Sequence, residues 1–314
     1  MLRLLGLILA CCLSFHVHAQ STSTWSPPGN RTQLSIWPAG APNQPEGTKP
    51  AESVFQVKKP SGNGYTGIAN VSDPTITVFP PAIRTSDAAI IVFPGGGFNI
   101  LAIDIEGTEI CDWITAKGMT CVLLKYRVPG GNHYWDKACK CHITPPIPFA
   151  LQDAQRAIRL TRSMSGDLRI SPNKIGVIGF SAGGYLVAQT SSMFEPTYKP
   201  TDAIDTLSSR PDFAIALYPG HLCRKGGTLD PGLTVTKDTS PTFLLQAWDD
   251  PVDKVCNSTV YARALDQAGV PTEVHLFAKG GHAFGLRDTG TSISSWPMLV
   301  ENWLHEIRVL DSDA

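Results

Sequence analysis

The chain carries little charge and no long run of either sign. Its 26 Lys and Arg nearly balance 27 Asp and Glu, for a formal net charge of −1. Nucleic-acid binding depends on basic surface that neutralises phosphates, and an anionic membrane attracts clustered basic residues. Neither partner is expected. The apolar stretch Leu4 to Leu13 is too short for a bilayer-spanning helix. The run Cys139-Lys140-Cys141-His142 is spaced more tightly than the Cys-x2-Cys of zinc sites, so a disulfide is the better reading and no metal is expected. A dinucleotide fingerprint starting at Gly95 needs a glycine where Ile100 stands. No internal repeat is visible. With 42% hydrophobic and 17% charged residues, the composition suits a globular enzyme with a sizeable core, and no cofactor is expected.

Met1 to Ala19 has Arg3, the short apolar core and small residues at Val17 and Ala19. This is the pattern of a signal peptide cleaved after Ala19. A secreted or periplasmic protein is expected, with no stable membrane insertion after cleavage. Cys111, Cys121, Cys139, Cys141, Cys223 and Cys256 follow the predicted cleavage site. An even set in an exported chain permits disulfides. The pairing stays open: one or both of Cys139 and Cys141 could pair with Cys223 or Cys256, and Cys111 and Cys121 could equally be buried thiols. The expected division is a signal peptide over 1–19, an extended N-terminal segment over 20–65 and one domain over 66–314.

Gly179-Phe180-Ser181-Ala182-Gly183-Gly184 is the centre of the chain. An apolar strand-like run, Lys174 to Phe180, precedes it, and a helix-like run from Tyr185 to Ser191 follows. A serine in a tight turn between strand and helix is a nucleophile elbow. Other segments alternate in the same manner. Strands are predicted at Ala88–Phe93, Thr120–Tyr126, Asp212–Tyr218, Thr242–Trp248 and Thr272–Phe277, and helices at Glu106–Lys117, Phe149–Ser163, Val255–Gln267 and Trp296–Val309. That alternation predicts a mostly parallel sheet with helices on both faces. Further strands are expected near Gln33–Trp37, Ser53–Val57 and Val71–Phe79.

A serine nucleophile needs a base. His282 lies in Lys279-Gly280-Gly281-His282-Ala283-Phe284-Gly285, just past the last strand. Glycine-rich flanks let this loop reach the C-terminal edge of the sheet, where such sites form. His275 reads as a packed strand residue, and His133, His142 and His221 as cleft-lining or surface residues. The base needs a carboxylate to orient it. Asp249-Asp250-Pro251-Val252-Asp253 follows directly on a predicted strand. Asp249 is favoured as the acid because it leaves the strand first. Asp250 stays open, although the following proline restrains its backbone. Asp253 reads as a helix cap. Pro94-Gly95-Gly96-Gly97-Phe98 supplies backbone amides for an oxyanion from Gly96 and Gly97. The Ala182 amide, next to the nucleophile, adds a third.

Taken together, these motifs resemble those of the α/β-hydrolase superfamily. More closely they resemble the branch of hormone-sensitive-lipase-like esterases and acetylxylan or feruloyl esterases. Pro94-Gly-Gly-Gly97 stands where lipase-like members have His-Gly-Gly-Gly, and Lys125-Tyr126-Arg127-Val128-Pro129 and Leu151-Gln152-Asp153 fit the same branch. The resemblance implies an α/β-hydrolase fold and a serine esterase working through an acyl-enzyme. The N-terminal segment shows no amphipathic helices for a cap. An uncapped cleft suits an acylated carbohydrate such as acetylated xylan, or another small ester. Tyr134, Trp135 and Trp248 are candidates for stacking on sugar rings, with packing the better reading of Trp248. Two alternatives remain: a serine peptidase of the prolyl-oligopeptidase type, and a non-catalytic carbohydrate-binding protein on a hydrolase scaffold.

Overall fold

The structure, a computed structural model, describes residues 24–44, 49–58, 64–128, 135–136, 141–142 and 148–310. The predicted signal peptide lies outside the described residues, as do Cys139 and the side chains of His133, Tyr134, Trp135, Cys141 and His142.

Short, continuous apolar runs become the middle of an eight-stranded sheet. Its strands are β1 (Gln33–Ser35), β2 (Thr75–Phe79), β3 (Ala89–Phe93), β4 (Thr120–Lys125), β5 (Ile175–Phe180), β6 (Phe213–Leu217), β7 (Thr242–Ala247) and β8 (Thr272–Phe277). The spatial order is β1-β2-β4-β3-β5-β6-β7-β8. β3 to β8 run parallel to one another, while β2 is antiparallel to β4 and β1 to β2. Every residue of β3 to β7 is buried. Such strands have no polar face because helices cover both sides.

The helices are α1 (Glu109–Ala116), α2 (Phe149–Ser163), α3 (Ala182–Ser192), α4 (Cys256–Gln267) and α5 (Trp296–Glu306). β5 shows which face each takes. Phe180 meets Trp296 of α5, whereas a Cβ on the preceding Gly179 would strike Gly183 and Val187 of α3. Neighbouring strand residues point to opposite faces, so α3 and α5 lie on opposite sides. α1 joins α5 through Trp113 against Trp296, and α2 packs beside α3.

Two elements differ from the periodicity reading. The predicted helix from Glu106 begins as a π-helical turn over Asp104–Thr108 before α1. The face of α2 that carries Arg156 and Arg159 is buried as well. Its charges are internally paired: Asp153 with Arg127, and Arg156 with Asp202 and Asp205, while Arg159 donates to Tyr198 Oη. Burial raises the Asp153 pKa, although Arg127 and the Trp37 indole oppose the shift.

The N-terminal residues are strapped to this frame. β1 forms an edge of the sheet, and Ser53–Val57 pairs with Tyr65–Ala69, which pairs in turn with Ile100–Ala102. Trp37 Nε1 donates to Asp153, and Lys125 pairs with Glu52 at 2.6 Å. Among the described residues before β2, the helical structure is one three-residue turn, Pro28–Asn30.

Two disulfides form among the described residues. Cys223 bonds to Cys256, so neither is a partner for Cys139 or Cys141, and Cys111 bonds to Cys121. The first bridge ties the loop after β6 to the start of α4. The second ties α1 to β4. Among the described residues, no helix is long and apolar enough to cross a membrane.

Candidate active site

Ser181 sits between β5 and α3 with φ 51° and ψ −117°. This strained backbone lifts the side chain off the sheet. Glycines make the turn possible: a Cβ on Gly183 would stand 2.0 Å from the Phe93 carbonyl oxygen, and one on Gly179 would stand 2.2 Å from that of Gly183. The Ser181 amide donates to the Leu217 carbonyl, and its carbonyl accepts from the Gly220 amide, each at 3.1 Å. The turn is thereby pinned to β6.

The loop after β8 brings His282 to this serine, with Nε2 3.0 Å from Ser181 Oγ. Nδ1 lies 2.8 Å from Asp250 Oδ2. A proton on Nδ1 satisfies the carboxylate and leaves the Nε2 lone pair facing the serine. Burial lowers the His282 pKa. The hydrogen bond to Asp250 and the charges of Asp253, Asp250 and Glu106 outweigh that effect, and the net shift is upward.

Asp250, not Asp249, therefore contacts the imidazole, which corrects the sequence preference. Asp250 and Pro251 open a turn in which Asp250 Oδ1 accepts the amides of Val252 and Asp253, at 2.8 and 2.9 Å. Aspartate followed by proline is the signature of such a turn, and it aims Oδ2 at the histidine. Asp249 has other partners. Its Oδ1 accepts the amides of Gly280 and Gly281, at 2.9 and 2.8 Å, so it staples the histidine loop to the end of β7.

Two more acids lie at the site. Asp253 does not cap α4, whose N-cap is Val255. Its Oδ2 lies 3.1 Å from Ser181 Oγ. Glu106 is buried beneath the glycine turn after β3. It accepts the Gly95 amide at 2.8 Å and the Tyr218 hydroxyl at 2.9 Å. Burial first, then the charge of Glu106, hold the Tyr218 pKa far above its usual value, so that hydroxyl stays a donor. The same hydroxyl accepts the Gly285 amide at 3.3 Å. Glu106 and Tyr218 thus brace the glycine turn against the histidine loop. No local signal marks Glu106, because its partners come from the turn after β3 and from the end of β6.

Gly96 and Gly97 have φ of 129° and 62°. A Cβ on Gly96 would stand 2.2 Å from the Ile100 carbonyl oxygen, so this turn requires glycine there. Both line a cleft of about 290 Å³ with Ser181, His282, Asp253 and Glu106. Ala182, the first residue of α3, follows the serine directly. His221 also lines the cleft, whereas His275 is half-buried against Phe243 and contacts Glu273. Trp248 is 61% exposed at the end of β7, not packed as expected. Among the described residues, no group of three or more His, Cys, Asp or Glu could hold a metal ion.

A family model described as the alpha/beta hydrolase fold matches residues 90–238. The chain is 28% identical over 256 residues to an acetylxylan esterase of Xylanibacter ruminicola, covering 73% of this chain and 48% of that protein. It is 26% identical over 215 residues to an endo-1,4-beta-xylanase B of Butyrivibrio fibrisolvens, covering 62% of this chain and 32% of that protein. The aligned part is thus half or less of either relative's length. The crystal structure of an acetyl ester-xyloside bifunctional hydrolase from Caldicellulosiruptor lactoaceticus superposes with a TM-score of 0.66 at 30% identity, covering 92% of this chain and all of that one.

Proposed function

This chain belongs to the α/β-hydrolase family, and from that premise we propose that it is a serine carboxylic ester hydrolase acting on short-acyl esters of carbohydrate, acetylated xylan first. The observation that carries the reading is the linked geometry of Ser181, His282 and Asp250 at a nucleophile elbow that opens on one cleft. His282 takes the Ser181 proton as Oγ attacks the ester carbonyl. The amides of Gly96, Gly97 and Ala182 hold the oxyanion. The tetrahedral intermediate collapses, the C–O bond to the alcohol breaks, and His282 returns the proton to that oxygen. Water, deprotonated by His282, then attacks the acyl-enzyme and releases the acid.

A cleft of about 290 Å³ lies at the lower end of small-ligand sites, which suits a small acyl group. The relatives, an acetylxylan esterase, an endo-xylanase and an acetyl ester-xyloside hydrolase, point the same way. Two disulfides suit an oxidising compartment, consistent with a secreted protein carrying a signal peptide over 1–19. The test is acetate release from acetylated xylan, run beside a feruloylated oligosaccharide, short nitrophenyl esters and a prolyl peptide. Release of acetate with little cleavage of the peptide is expected. Binding without turnover of any substrate would overturn the reading.

The pH profile follows from the base. His282 works only when neutral, and its pKa is raised. It stays protonated to a higher pH than a free imidazole, so activity is lost as pH falls through that raised value. The acid limb of kcat/KM for nitrophenyl acetate is expected to have its midpoint above about 6.5, the ordinary imidazole value. A profile flat down to pH about 5 would remove His282 from the role of base.

A further inference from the structure

Asp253 is a buried carboxylate at the reacting serine that none of the steps above uses. Its side chain is 8% exposed, and Oδ2 lies 3.1 Å from Ser181 Oγ and 3.7 Å from His282 Nε2. Its place is built rather than incidental. Its amide donates to Asp250 and its carbonyl accepts from Gln246 Nε2 at 2.6 Å. Gly220 makes room, since a Cβ there would stand 2.8 Å from both carboxylate oxygens.

The reaction places the leaving alcohol next to this group. Its oxygen takes the proton from His282 Nε2, so it sits within hydrogen-bond reach of that nitrogen. Asp253 is already 3.7 Å from the same nitrogen. The alcohol therefore passes directly beside the carboxylate. A serine hydroxyl has a single proton to donate. Once His282 takes it, Asp253 loses the Ser181 hydroxyl as a donor. The imidazolium formed 3.7 Å away offsets the charge of Asp253, but at that distance it does not replace the lost hydrogen bond. A vicinal hydroxyl, on the carbon adjoining the one that bears the ester oxygen, replaces that donor. An aryl or simple alkyl alcohol offers none and also displaces water from the carboxylate.

We infer that Asp253 is a specificity-determining residue that accepts a hydrogen bond from a hydroxyl beside the ester oxygen, and so selects polyol esters over esters of monohydric alcohols. This rests on the serine esterase reading and deepens it. It makes the leaving group, not the acyl group, the part of the substrate read at the nucleophile.

The test uses three acetyl esters: a methyl xyloside carrying one acetyl group beside a free hydroxyl, the same compound with its free hydroxyls methylated, and nitrophenyl acetate. Wild-type enzyme is expected to favour the hydroxyl-bearing xyloside over its methylated twin by about tenfold or more in kcat/KM. In Asp253→Asn that ratio is expected to fall toward one. No preference in the wild type overturns the inference, and that measurement does not depend on a variant folding. An unchanged ratio in the variant also overturns it. The underlying reading fails in a different arm, if wild-type enzyme hydrolyses no ester or if Ser181→Ala hydrolyses nitrophenyl acetate as fast as wild type.

Discussion

Replacing Ser181 with Ala is expected to lower kcat for any ester by about 10⁴-fold or more, with the fold retained. The size follows from the role. Without Oγ no acyl-enzyme forms, and what remains is the contribution of the cleft and the oxyanion amides, the residual seen when the nucleophile of such a triad is removed. Retention follows from the contacts. The turn is held by backbone bonds to Leu217 and Gly220 and by close approaches at Gly179 and Gly183. Alanine keeps the Cβ and leaves all of these intact. Among the described residues the oxygen bonds to His282 and Asp253, both of which line the cleft. Burst kinetics with a nitrophenyl ester, together with circular dichroism of the variant, make the check. A folded variant that still shows the wild-type burst would rule out Ser181 as the nucleophile.

The serine and the histidine were legible because their signals are local. Glycine on both sides of Ser181 is what a strand-to-helix turn requires, and the flanking runs are readable as strand and helix by themselves. The parallel core was legible for the same reason: strands buried on both faces are written as unbroken apolar runs. The short strands Tyr65–Ala69 and Ile100–Ala102 were not read because each lies mostly in the middle of longer irregular sequence and is fixed by pairing across distance. Glu106 was hidden differently. It sits in a segment with helical periodicity, yet its carboxylate turns inward to Gly95 and Tyr218. The cysteines show the same limit, since sequence does not say that Cys223 reaches Cys256.

The choice between two adjacent aspartates is the sharpest case, and it carries the second large prediction. Asp250→Asn is expected to lower kcat by about 10³- to 10⁴-fold, the scale known for amide replacement of a triad aspartate. An amide at this position can present its NH₂ to Nδ1. That favours the tautomer with the proton on Nε2, where it cannot accept from Ser181. It also removes the charge that stabilises the imidazolium. Asp249→Asn keeps an oxygen that can accept from Gly280 and Gly281. It is expected to cost about tenfold or less, and Asp249→Ala more, by loosening the histidine loop. The two sites also differ in pH behaviour. Asp250 raises the His282 pKa through its hydrogen bond and its charge, so residual activity of Asp250→Asn is expected to show an acid limb at lower pH than wild type. Asp249→Asn is expected to leave that limb near the wild-type position. If Asp249→Asn proved the crippled variant and Asp250→Asn the mild one, the carboxylate supporting His282 would be the one that leaves the strand first. The turn begun by Asp250 and Pro251 argues against that, because it spends one carboxylate oxygen on its own amides and leaves the other free to hold the imidazole.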